Sequence, residues 1–162
     1  PFVSELMNPT GLAFGPDGRV FVSASADGSV RIYDVVQNRV RSNGPTVPRS
    51  PTCLTFLGDG RHVAVGDVAG NIGHFALPGA TMGKAVPAHT KAVRGLDSNP
   101  SGRLLASVGD DGLVKLWDTE SWKEIACFTG HSDGIRSVSF SLDSRFIASG
   151  SLDGTVRVWR VP

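Results

Sequence analysis

Ile135-Arg136-Ser137-Val138-Ser139-Phe140, Ser141-Leu142-Asp143-Ser144, Phe146-Ile147-Ala148-Ser149-Gly150, Asp153-Gly154 and Thr155-Val156-Arg157-Val158-Trp159 follow one another in this chain, and their reading decides its fold. The first run alternates, which places Ile135, Ser137 and Ser139 on one face of a strand and Arg136, Val138 and Phe140 on the other. A polar four-residue turn follows, then a largely apolar run. Asp-Gly between two such runs is a strong hairpin signal, because Gly accepts a positive φ. The third run is β-branched and aromatic, as strands prefer.

Working outward, the same pattern recurs. Gly28, Gly70, Gly112 and Gly154 are 42 residues apart, as are Tyr33, Phe75, Trp117 and Trp159, and Arg19, Arg61, Arg103 and Arg145. The small residue closing the first turn keeps the same step at Gly18, Gly60, Gly102 and Ser144. A weaker fourth run closes each period, clearest at 122–128. No segment shows helical periodicity with caps. Four short antiparallel strands per period make one blade of a β-propeller. A lone four-stranded sheet cannot bury both faces, whereas blade stacked on blade can. The expected fold is therefore all-β: one repeat domain over 1–162 with blades at about 5–43, 44–86, 87–128 and 129–162, the last incomplete.

Composition narrows the function classes. A net charge of +1 gives no bulk attraction for nucleic acid or membrane. No apolar stretch approaches the roughly 20 residues that span a bilayer, and residues 1–8 lack the charged start and apolar run of a signal peptide. Cys53 and Cys127 stand 74 residues apart, with neither a disulfide framework nor zinc-ligand spacing. They read as free thiols in a reducing compartment. His74 has no second ligand at useful spacing. No metal and no cofactor are expected.

At Gly130-His131, Asp153-Gly154 and Val158-Trp159, and again at His89, Asp111-Gly112 and Leu116-Trp117-Asp118, the chain resembles the WD-repeat (β-transducin-like) family. The resemblance implies a structural hydrogen-bond tetrad at His131, Ser149, Asp153 and Trp159, and at His89, Ser107, Asp111 and Trp117. Repeat one keeps Ser23 and Asp27, with Tyr33 for Trp and Glu5 for His. Repeat two has Val47, Val65, Ala69 and Phe75 at the four positions, which leaves that blade to rely on packing alone. Ser, His and Asp are also the ingredients of a hydrolase triad. Two copies at the repeat spacing, with the serine inside an apolar strand, argue for architecture.

The resemblance also implies partner binding on the rim that carries the loops leading into the first strand of each blade. The mapped positions are Thr10, Thr52, Arg94 and Arg136, with Asn8, Ser50, Ala92 and Gly134 one step out. Ala26, Val68, Asp110 and Leu152 precede the Asp position of the second turn. Arg94 and Arg136, with Lys91 nearby, are placed to grip a carboxylate or phosphate, since the guanidinium fork pairs bidentately with either. The alternative is an ordinary solvated rim offset by Asp110 and Asp133. Arg19, Arg61, Arg103 and Arg145 fall on the opposite side without aromatic stacking platforms, and read as solvated turn residues. Gly73, in mid-strand, weakens pairing or admits a close neighbour, and the segment 77–84 after it is poor in strand signal.

The expected function is a non-catalytic protein-interaction scaffold in an intracellular complex, cytoplasmic or nuclear. A nucleic-acid-associated subunit is the alternative. A propeller enzyme is disfavoured, because the channel-mouth positions are Thr, Thr, Arg and Arg. The repeat phase leaves the last blade without a fourth strand and only Phe2 and Val3 of the matching one. WD-type rings have about seven blades, within the range propellers use. The chain is therefore read as a segment of a larger propeller, or as a half-ring that associates with a copy of itself or with remaining blades.

Overall fold

The computed structural model describes residues 8–79 and 81–162, and every regular element among them is a β-strand. The first sheet holds β1 (Pro9–Phe14), β2 (Val20–Ser25), β3 (Val30–Asp34) and β4 (Arg39–Asn43). The second holds β5 (Pro51–Phe56), β6 (His62–Asp67), β7 (Asn71–Ala76) and β8 (Val86–Pro87). The third holds β9 (Val93–Ser98), β10 (Leu104–Gly109), β11 (Val114–Asp118) and β12 (Lys123–Phe128). The fourth holds β13 (Ile135–Phe140), β14 (Phe146–Ser151) and β15 (Val156–Arg160). Strands pair in chain order, antiparallel throughout, so each sheet is one blade. Glu5, Phe2 and Val3 lie outside the described residues. Among the described residues no helix is long and apolar enough to cross a membrane.

The turns explain the punctuation. Gly18, Gly60, Gly102 and Ser144 have φ of 69°, 64°, 73° and 61°, a left-handed conformation that costs a side chain energy and Gly none. At Gly70 a second constraint adds to a φ of 88°. The amides of Ala88 and His89, in the loop leading into the next blade, donate to its carbonyl at 3.0 and 2.8 Å. A Cβ there would collide with the His89 carbonyl oxygen.

The core sits between blades, not within them. Val22, Ala24, Val30 and Ile32 of the first blade meet Leu54, Phe56, Val63, Val65 and Phe75 of the second. Ala64 and Ile72 then meet Val93, Leu105 and Trp117. Ala106, Val108, Val114 and Leu116 meet Ile135 and Ile147, with Val138, Phe140 and Trp159 against them. Each fully buried Val, Leu, Ile or Phe among them contributes about 1.5–3 kcal/mol. The innermost strands β1, β5, β9 and β13 pack side by side in that order, so the four blades form an arc.

Two sequence expectations need correction. Strict alternation put Ile135 with Ser137 and Ser139. Instead Ile135 is buried with Val138 and Phe140, because the β13–β14 register slips by one residue between Ile135 and Ser137. The bulge turns every later side chain to the other face. Blade two does not rely on packing alone. The Asp67 carboxylate accepts the amides of Ala69 and Asn71 at 2.8 and 2.9 Å and holds the turn. The Asn71 amide group adds a 3.0 Å bond to Asp67 Oδ2. Its fourth strand is cut to two residues, paired only with Asn71 and Ile72, and the methyl of Met82 occupies the space a Gly73 side chain would fill.

Candidate partner-binding rim

One backbone device repeats four times along one edge of the arc. The pairing of the first strand with the second skips Thr10, Thr52, Arg94 and Arg136, so each is the extra residue of a β-bulge. Bulges re-aim side chains, and these four are the rim positions mapped from the sequence. A second repeat locks them. The amides of Ala26, Val68, Asp110 and Leu152 donate to the carbonyls of Asn8, Ser50, Ala92 and Gly134 at 3.0, 3.1, 3.0 and 2.9 Å. The rim is thus a rigid series of equivalent steps.

The side chains on it divide by blade. Thr10 Oγ1 reaches the Ala24 carbonyl at 3.2 Å. Thr52 Oγ1 lies 2.5 Å from the Val93 carbonyl and 3.1 Å from that of Gly66, so it is a clip between blades two and three and is not turned outward. Arg94 and Arg136 do not form an open fork. Asp110 lies between them: its Oδ2 accepts Arg94 Nε and Nη2 at 2.8 and 2.6 Å, and its Oδ1 accepts Arg136 Nη1 at 2.8 Å. The Arg94 bonds, then the Arg136 and Lys91 charges, hold the Asp110 carboxyl below its ordinary range. Lys91 borders the adjoining cleft with Asp110, Ser132 and Asp133. The charge of the arginine pair is therefore already neutralised in part by Asp110. On either side the equivalent positions are apolar: Val68 and Leu152 are both exposed.

The two full tetrads are wired in one direction. Trp117 Nε1–H donates to Ser107 Oγ at 2.9 Å, and Ser107 lies 2.8 Å from His89 Nε2. His89 Nδ1 lies 2.9 Å from Asp111 Oδ1. The buried Ser107 hydroxyl has one proton, which goes to Nε2, so His89 is neutral with its own proton on Nδ1. Burial agrees by lowering the His89 pKa. Burial alone would raise Asp111, but bonds from His89 and the amides of Thr90 and Leu113 outweigh it and keep the carboxylate ionised.

Blade four repeats the set, with Trp159 Nε1 to Ser149 at 2.9 Å, Ser149 to His131 Nε2 at 2.9 Å and His131 Nδ1 to Asp153 at 2.8 Å. Asp153 is held far below its ordinary range, chiefly by the Thr155 hydroxyl and then by His131. Ser107 and Ser149 are buried and each is bonded to an indole and a histidine, so neither has the access of a nucleophile.

In blade one Ser23 Oγ and the Tyr33 hydroxyl are 3.5 Å apart. Val47, Val65 and Phe75 of blade two are buried apolar replacements. Among the described residues no three His, Cys, Asp or Glu side chains gather to hold a metal ion. Cys53 and Cys127 are free, and burial pushes the Cys53 thiol up to about 11.

Opposite the rim, Arg19, Arg61, Arg103 and Arg145 hold their turns through the backbone. Their carbonyls accept the amides of Val35, Leu77, Thr119 and Val161 at 2.7–3.1 Å. Two features escaped the sequence reading. His74 stacks on Trp122 of the next blade, ring centroids 4.2 Å apart. It occupies the repeat position of Ile32 and Leu116, so only the propeller geometry shows that it faces a neighbour. Asp97 Oδ2 accepts the Phe140 amide at 2.7 Å and fastens β9 to β13.

The family model described as "WD domain, G-beta repeat" matches residues 7–34, 81–118 and 122–160, leaving most of the eroded second blade unmatched. The chain is 30% identical to telomerase protein component 1 of Rattus norvegicus over 131 residues, which is 81% of this chain and 5% of that protein. It is 28% identical to the protein LST8 homolog of Drosophila melanogaster over 111 residues, 62% of this chain and 36% of that one. The solved structure of U3-55K superposes with a TM-score of 0.89 at 23% identity, covering 99% of this chain and 51% of its own. Repeat spacing, blade topology, tetrads and family match agree, and the chain belongs to the WD-repeat family of β-propeller proteins.

Proposed function

We propose that this chain is a non-catalytic scaffold that binds a partner peptide or domain on the bulged rim of blades two to four. WD-repeat proteins generally act as protein-interaction scaffolds, and the propeller is generally a non-catalytic platform. One observation carries the finer reading: at equivalent, rigidly held steps the rim offers exposed Val68, the Arg94–Asp110–Arg136 cluster and exposed Leu152. Apolar flanks around a charged centre are what a specific protein partner uses. The flanks supply affinity, and the salt-bridged centre supplies register and discrimination. The Arg94–Asp110 pair is preorganised, so a partner meets one geometry and does not have to order two long side chains.

Affinity capture from cell lysate with the parent, the Arg94→Glu/Arg136→Glu double variant and Leu152→Asp tests this side by side. Both variants are expected to lose the partners the parent retains. Unchanged capture by both moves the site off this rim.

A further inference from the structure

We infer that the cleft between blades two and three, on the side opposite the bulged rim, is a second binding site and takes an arginine side chain of a protein partner. The inference comes from the repeat register and is independent of the rim reading. One three-residue contact recurs at the junctions. The earlier blade supplies two residues, and the turn after the third strand of the later blade supplies one. Between blades one and two they are Val20, Ile32 and Leu77, and between blades three and four Leu104, Leu116 and Val161, all packed in or against the apolar core. Between blades two and three the same positions hold His62, His74 and Thr119. These three line an open cleft of about 370 Å³, with the buried Leu57 beside them. Blades two and three each have a neighbour on either side, so the cleft belongs to the interior of the arc.

The polar groups at this cleft are mostly acceptors. Thr119 donates its hydroxyl proton to the Gly102 carbonyl at 2.7 Å, which leaves it lone pairs to offer. Burial, and then the nearby His62, lowers the His74 pKa, so its ring is neutral and carries one lone pair. Among the described residues neither His74 nitrogen has a hydrogen-bond partner. Burial alone would raise the Asp59 carboxyl, but bonds from His62 and the amides of Arg61 and His62 outweigh it and keep it ionised. Glu120 is 85% exposed and meets Arg103 only at 3.8 Å, and exposed pairs of this kind hold weakly. None of the described residues lining the cleft is Lys or Arg. The complement is a guanidinium, which has five N–H donors and no acceptor, and whose flat, weakly hydrated face suits an aromatic wall. A lysine ammonium, compact and strongly hydrated, gains less there.

The aromatic wall is the His74–Trp122 stack. Trp117 and Trp159 donate their indole N–H groups to serines, whereas that of Trp122 has no partner among the described residues. Trp122 also holds a φ of 54°, in the left-handed region that Asn38 accepts at the same place in blade one and that a large side chain adopts at a cost. A polar triad in an apolar position and a strained aromatic thus converge on one cleft. Departures from local rules that converge in this way mark functional sites.

Titrating the purified 162-residue chain with acetyl-arginine amide, followed by NMR of the indole N–H groups, tests the site. The Trp122 signal is expected to shift and saturate, while the serine-bonded Trp117 and Trp159 signals stay in place. Acetyl-citrulline amide, the uncharged isostere, should leave all of them unmoved. Glu120→Gln, a surface change that leaves the fold intact, should weaken binding roughly threefold, as loss of an exposed charge does. The triple variant His62→Val/His74→Leu/Thr119→Val restores the aliphatic set of the other junctions. It is expected to stay folded by circular dichroism and to lose the Trp122 shift. A Trp122 signal that stays put at every concentration overturns the site, as does an equal response to citrulline amide or undiminished binding by either variant. Tighter binding of free arginine than of the capped amide overturns the partner reading in favour of a small-molecule site.

Discussion

Ser107 Oγ accepts a hydrogen bond from the Trp117 indole N–H and bonds His89 Nε2, so Ser107→Ala strips partners from two buried groups at once. The expected loss of stability is about 1–3 kcal/mol, the cost of leaving a buried polar group unpaired, measured by denaturant unfolding. His131→Ala and Asp153→Ala are expected to move the melt in the same direction, because they break the equivalent chain in blade four.

The tetrad also sets a pH response. The folded-state pKa of His89 lies below its ordinary 6.5, because burial penalises the cation. The unfolded chain therefore takes up the proton first as pH falls. Stability is full above about 6.5 and declines as pH drops toward the lowered value. Asp111, held below its ordinary 3.8, acts further down: its contribution is present above 3.8 and is lost as pH falls below it. The melting midpoint is thus expected to drop between pH 7 and pH 5, and to drop less in His89→Gln. Equal slopes would refute this role for His89. At this scale the sequence was informative, since the paired residues stand at fixed offsets. The tautomer of His89 was not, because it follows from which lone pair faces which hydroxyl.

Among the elements, the second blade shows how a repeat survives erosion. It replaces tetrad polar groups with Val47, Val65 and Phe75, moves the turn bonds to Asp67 and fastens itself to the third blade through Thr52 and the His74–Trp122 stack. His74 stands where the first, third and fourth blades carry Ile32, Leu116 and Val158. Its pKa is lowered, first by burial and then by the nearby His62, so its cation is disfavoured at this junction. His74→Leu is expected to raise the melting midpoint, and to raise it more at pH 5.5 than at pH 7.5. An unchanged midpoint at both pH values would show that the stack on Trp122 matches an aliphatic contact in worth.

The strands and turns were legible from spacing and from Gly and Asp-Gly punctuation. The four bulges were not, because a bulge is defined by counting residues against a partner strand. Reading Ile135 onto the wrong face traces to this class of information. Asp110 stood in the sequence as an offset to the rim arginines, but that one carboxylate bonds both Arg94 and Arg136 follows only from the fold.

For the whole molecule, stability is shared between neighbours. Leu116 and Val158 occupy the same position of their repeats, yet only Leu116 is covered by a following blade. Leu116→Ala is expected to cost about 2–5 kcal/mol, the range for emptying a packed aliphatic site. Val158→Ala is expected to stay within about 0.5 kcal/mol of the parent, as exposed substitutions do.

The sequence by itself determined that this chain holds four β-blades with a weakened second repeat, and its resemblance to the WD-repeat family implied the two polar tetrads. A period of 42 residues and fixed offsets within it are properties of one chain read in order. Only the tertiary structure decided which side chains are spent inside the molecule and which are offered outward. Those outcomes depend on contacts between residues distant in the chain, 16 and 26 positions for the Asp110 bonds and 41 for the Thr52 clip, where a bulge or a neighbouring carboxylate decides what a given side chain meets.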